Sequence, residues 1–136
     1  MKLRLLASTP AVETLIATAM LTTTSGVTPS TLFNKLSTDP AKVADVVGRL
    51  EMQHGSIMEH NRLSWLLEAN EGEVLKVLLK NRFFTFTRFG SRGWLVSSNL
   101  RVVVEYQTEG DEFGRLLLES IKEAAPSVYS FVRRKD

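Results

Sequence analysis

The densest group of reactive side chains is the run His54-Gly55-Ser56-Ile57-Met58-Glu59-His60, which holds both histidines of the chain. Two imidazoles, a hydroxyl and a carboxylate in so short a run could ligate a metal, perform acid–base or nucleophilic chemistry, or cap a helix end and a turn. The spacing disfavours a metal helix. His-x-x-Glu-His needs a histidine where Ser56 stands, His-Glu-x-x-His is not formed, and Gly55 interrupts a continuous helix. Ser56, His54 and Glu59 carry the groups of a hydrolytic triad, but the Gly-x-Ser-x-Gly turn that presents such a serine is missing. The third reading is structural, with polar side chains satisfying backbone groups between two elements.

A second group spans Lys80 to Gly93 and mixes cations with aromatic rings. Arg88 and Arg92 bracket the turn Gly90-Ser91-Arg92-Gly93. Glycines permit close backbone approach and arginines supply charge, so this turn could cradle a phosphate; it could equally be a solvated hairpin with surface arginines. Phe83, Phe84, Phe86 and Phe89 could stack on a flavin or a base, and could as well serve as core or interface. Basic residues interleaved with rings suit single-stranded nucleic acid. With no RNP-like motif and a net charge of only +2, nucleic acid is not the expected partner.

These side chains must be positioned by the elements around them. Lys2–Ser8 reads as a first strand. Thr9-Pro10 reads as a cap with proline at the first helical position, followed by Val12, Leu15, Ile16 and Ala19 at helical spacing. Thr28-Pro29 opens a short helix over 29–37. Asp39-Pro40 opens a longer one over 40–53, which Gly55 is placed to end. A strand is expected over 61–69, a helix over 71–81 and an aromatic strand over 83–89. The stretch 94–106 is ambiguous, because Val102-Val103-Val104 suits a strand and a buried helix alike. An amphipathic helix over 112–124 is broken by Pro126, followed by a last turn over 127–132 and a basic tail.

Composition narrows the class. A chain of 136 residues, 43% hydrophobic and 24% charged, reads as one globular α+β domain without linker, repeat or low-complexity stretch. Without cysteine there is no disulfide, thiolate catalysis or Cys-ligated zinc, and a cytoplasmic location is expected. The apolar start is broken by Pro10 and Glu13, too early for a secretion signal, and no long unbroken apolar run predicts a membrane span.

The pattern His54-x-Ser56-x-x-Glu59-His60, after a helix and before a strand, resembles the flavin-dependent thymidylate synthases, also called thymidylate synthase complementing proteins. Ala17-Thr18-Ala19-Met20-Leu21-Thr22 is similar to that family's first helix, and Asn99-Leu100-Arg101 to its Asn-x-Arg segment. The last helix with Pro126-Ser127-Val128-Tyr129 resembles its C-terminus. The family signature, Arg-His-Arg-x-x-Ser-x-Asn-Glu-x-Ser-x-Arg-Tyr, falls on Lys80 to Gly93. Arg82 and Arg92 are kept there, and Lys80 and Thr85 are conservative changes. Asn81, Thr87, Arg88, Gly90 and Gly93 replace histidine, asparagine, glutamate, serine and tyrosine. A long helical insertion with a further nucleotide-binding arginine is missing.

The resemblance implies a small, mostly antiparallel sheet with helices packed on it, in a homo-oligomer, most simply a tetramer. It implies FAD held by Thr22, His54, Ser56, Glu59, Lys80, Asn81, Arg82, Asn99 and Arg101. A deoxyuridylate substrate would meet Lys80, Arg88 and Arg92, and no metal is implied. The reaction would carry a methylene from methylenetetrahydrofolate to dUMP via reduced FAD, with NADPH as electron source and no protein nucleophile. The alternative is a diverged flavin- or nucleotide-binding homologue without synthase activity. On this alignment the flavin site is more intact than the nucleotide site.

Overall fold

The structure, a computed structural model, describes residues 1–51 and 55–134. Strand β1 (Lys2–Ser8) leads into helices α1 (Val12–Ser25), α2 (Pro29–Leu36) and α3 (Pro40–Val47) and the single turn α4 (Gly55–Met58). Strand β2 (Arg62–Glu68), helix α5 (Glu71–Lys80) and the hairpin β3 (Thr85–Phe89) and β4 (Gly93–Asn99) follow. Helix α6 (Leu100–Tyr106), a short 3₁₀ turn (Gln107–Glu109), α7 (Glu112–Ser120) and α8 (Pro126–Arg133) complete the described chain. The fold is α+β: one antiparallel sheet in the order β1-β2-β4-β3, with helices packed on it.

Alternation within the strands sorts the two sheet faces. Leu63, Trp65 and Leu67 of β2 and Trp94, Val96 and Ser98 of β4 are buried. They point to the helix side, where Ile16, Val103, Leu117 and Val128 join the same core. The register Leu5↔Trp65↔Val96 runs through the middle of the sheet. The opposite face carries Arg4, Leu66, Leu95 and Phe89 toward the outside, and no helix among the described residues covers it. A bulge at Leu6 shifts the edge strand β1 by one residue.

Several boundaries differ from expectation, each for a local reason. Helix α1 begins at Val12 rather than Pro10, behind Ala11 in a left-handed conformation (φ 53°). Thr9 cannot cap it: its backbone N–H donates to Arg62 O and its hydroxyl oxygen accepts from Arg62 N, which extends the sheet instead. Helix α3 ends at Val47 with Gly48 at its C-cap, so Gly55 starts α4 rather than stopping α3. The ambiguous stretch divides at Asn99. Strand β4 stops there, and the Asn99 side chain accepts from Val102 N–H to open α6, which makes the valine run helical and buried. Helix α7 stops at Ser120, and Pro126 opens a full helix rather than a last turn.

Candidate functional site

The turn α4 packs between α1 and α6, and a hollow opens on each side of it. The first, about 360 Å³, is lined by Thr18 and Thr22 of α1, Pro29, Ser56, Ile57 and His60. Its walls are mainly apolar with hydroxyls set among them. The Thr22 hydroxyl donates to Thr18 O (2.7 Å), while the Ser56 hydroxyl is exposed and without a partner among the described residues.

The second hollow, about 410 Å³, is lined by Glu59, Phe83, Asn99, Arg101, Val102 and Glu105. Asn99 uses its side-chain oxygen as the cap of α6, which leaves its amide N–H₂ uncommitted. Arg101 donates through Nη1 to Glu59 and through Nε to Glu105 (2.8 Å). Those hydrogen bonds, the one to Glu59 foremost, push its pKa above the ordinary guanidinium value, so it stays cationic throughout. Two carboxylates around one guanidinium leave the cluster net negative.

The guanidinium rests against Gly55. A β-carbon there would lie 2.7 Å from Arg101 Nε and 2.9 Å from Cζ. Glycine is thus the residue that lets Arg101 bridge α6 to α4. Gly55→Ala is expected to lower stability only slightly, because it displaces the mobile end of a half-exposed side chain from its carboxylates. In an Arg101→Ala background the obstructing atoms are gone and the cost should fall toward zero. Urea unfolding of the four proteins checks this; equal cost in both backgrounds would refute the seating.

The remaining expected ligands are dispersed. Lys80 Nζ donates to Asp111 (2.6 Å), which also accepts from the Tyr106 hydroxyl (2.8 Å), at the far end of α6 from Arg101. The Asn81 side chain accepts from Phe83 N–H (2.8 Å). The Arg82 guanidinium lies 5.2 Å from the centre of the Phe83 ring, and that ring lines the second hollow. Arg88 is turned onto its own hairpin, donating to Gly90 O and Ser91 O, pairing with Glu71 (3.3 Å) and lying over Trp94. Arg92 Nε sits 3.9 Å from Glu68. Both arginines lie by the Gly93 end of β4, about 20 Å along the strand from Asn99.

Of the expected residues, Thr22, Ser56, Glu59, Asn99 and Arg101 therefore gather around α4, and Arg82 adjoins them through Phe83. Lys80, Arg88 and Arg92 do not, and His54 lies outside the described residues. Sequence reasoning missed Glu105, which shares Arg101 with Glu59; its only signal was the i,i+4 spacing from Arg101 on one helix. Among the described residues no group of three or more His, Asp or Glu is placed to hold a metal. No helix there is long and apolar enough to cross a membrane. No protein-family model matches the chain, and no curated protein matches it significantly.

Proposed function

We propose that the chain is a short, diverged relative of the flavin-dependent thymidylate synthases, holding FAD around α4. As an assembled homo-oligomer it would pass a methylene from methylenetetrahydrofolate to dUMP, with NADPH as reductant. The observation that carries this reading is the meeting of Thr22, Ser56, Glu59, Asn99 and Arg101, from distant parts of the chain, around one helical turn. The residues present fit a flavin nucleotide in their donor and acceptor chemistry. The free Ser56 hydroxyl and Asn99 amide suit ribityl hydroxyls and ring edges, and Glu59 accepts from hydroxyls or an amino group. Bound FAD would supply the redox chemistry, and the protein's part is to bind and orient it. Arg101 would meet the pyrophosphate only by exchanging a carboxylate partner for it.

Assembly is supported by α5. Leu75, Leu78 and Leu79 of α5 form an exposed apolar stripe, with Leu79 79% exposed. That is the face a second copy would cover, and the cytoplasm is the expected setting for such an assembly.

A second reading, a flavin- or nucleotide-binding homologue without synthase activity, draws on the hairpin arginines. Arg88 and Arg92 are engaged within their own chain, at the other end of β4 from Asn99. Titration with FAD tests the common part. A bound-flavin visible spectrum is expected, and Ser56→Ala with Glu59→Ala should weaken affinity about tenfold or more while the fold is kept. Unchanged affinity would move the site elsewhere. Turnover of dUMP with FAD, NADPH and methylenetetrahydrofolate then separates the two readings.

A further inference from the structure

We propose that the open face of the sheet carries a second binding site, for a nucleoside monophosphate whose base stacks on Phe89 and whose phosphate meets Lys2 and Arg4. The inference does not depend on the flavin reading, because it uses other residues at the far end of β4.

The ring of Phe89 is held in place and yet 53% exposed. It pairs across strands with Gly93 and lies over that residue: a β-carbon on Gly93 would fall 2.6 Å from Cζ and 2.7 Å from Cδ2 of the ring. The missing side chain is what allows the phenyl group to lean inward from the edge strand β3. A hollow of about 410 Å³ opens beside it, lined by Lys2, Arg4, Leu66, Glu68, Phe89 and Gly93 among others. An aromatic ring fixed on one side and open on the other is a stacking platform for a base.

Charge selects the ligand further. Lys2 and Arg4 sit on alternate positions of β1, hence on one face, and neither forms an ion pair with any described residue. Glu68 also lines the hollow, and Arg92 lies 3.9 Å from it as a countercharge. The balance favours an anion. Arg4 offers the fork that suits phosphate, and Glu68 offers an acceptor for a ring amino or imino hydrogen. One ring and two free cations at one end of the face match a single nucleotide rather than a strand. A two-fold pairing of this patch with its copy would bring like charges together, which disfavours a second copy as the occupant.

Calorimetric titration with AMP, adenosine and a short oligo(dA) tests the assignment. The wild-type protein is expected to bind AMP more tightly than adenosine. Phe89→Ala should weaken AMP binding about tenfold or more by removing the platform. Gly93→Ala should do the same by displacing the ring without deleting it, with circular dichroism checking that the fold is intact. Lys2→Gln with Arg4→Gln should bring AMP down to the affinity of adenosine. Absence of AMP binding at millimolar concentration would overturn the proposal, as would unchanged affinity in both the Phe89 and Gly93 variants. Oligo(dA) binding over a hundredfold tighter than AMP would replace it with a strand-binding face. Self-association that Phe89→Ala abolishes, with no nucleotide bound, would replace it with an interface between copies.

Discussion

Replacing Trp65 by alanine should lower the free energy of unfolding by about 3–5 kcal/mol, the range for deleting a large ring from a close-packed core. Trp65 is fully buried at the middle of β2, between Leu5 of β1 and Val96 of β4. It therefore touches the sheet where both neighbouring strands meet it. The indole also ties the sheet to the helical layer, since its Nε1–H donates to the Ser120 hydroxyl (2.8 Å) at the end of α7. Total stability for a domain is about 5–15 kcal/mol, so the alanine variant should be close to unfolding on its own. Trp65→Phe separates the two contributions. It keeps most of the apolar volume and loses the N–H donor, while Ser120 still donates to Leu117 O (2.7 Å). Its expected cost is about 1–2 kcal/mol. Urea unfolding followed by circular dichroism reads both values, and a Trp65→Ala cost below that of the phenylalanine variant would mean that the ring is not central to the core.

Much of this architecture is legible in the sequence, and the parts that are not share a cause. Strand β1 falls on Lys2–Ser8 as expected, and α2 and α5 within a residue of it, because local pattern and local chemistry agree there. The expected cap at Thr9 fails because Thr9 is recruited by Arg62, far along the chain, and nothing near Thr9 announces that pairing. The valine run at 102–104 could not be assigned from its own composition. Burial on all sides removes the amphipathic signal, and only the Asn99 cap distinguishes a helix start from a continuing strand. The site follows the same rule. Ser56 and Glu59 were found through their spacing within one short motif. That Glu59 would reach the Arg101 that Glu105 also holds, and that Lys80 would be drawn to Asp111 instead of toward Glu59, depends on tertiary approach across dozens of residues. The open sheet face shows in the sequence as the exposed half of each alternating strand. The seat that Gly93 makes for Phe89 requires the hairpin register, which composition does not supply.

Asp111→Ala should cost about 2–4 kcal/mol, because one carboxylate serves three partners. Its Oδ1 caps α7 by accepting from Gly114 N–H (2.8 Å), a role whose loss costs about 1 kcal/mol. Its Oδ2 accepts from Lys80 Nζ and from the Tyr106 hydroxyl. Tyr106 is buried, and leaving its hydroxyl without a partner costs about a further 1–3 kcal/mol. Burial, and then the carboxylate beside it, already push that phenol well above its ordinary pKa. For Asp111 itself burial works against the charge. The hydrogen bonds from Lys80, Gly114 and Tyr106 together outweigh that penalty and hold the carboxyl below its ordinary 3.8. A depressed folded-state value means that the unfolded chain takes up the proton first as pH falls. The stabilisation is therefore complete above the ordinary carboxylate range and is lost as pH drops through the folded value. Asp111→Asn isolates this charge, since asparagine still caps a helix. The gap in stability between wild type and Asp111→Asn should be full at pH 6 and close below about pH 4. The absence of a gap at any pH would show that the carboxylate acts only as a cap, a role asparagine fills as well. Lys80 would then be released from its structural pairing and restored as a candidate phosphate ligand.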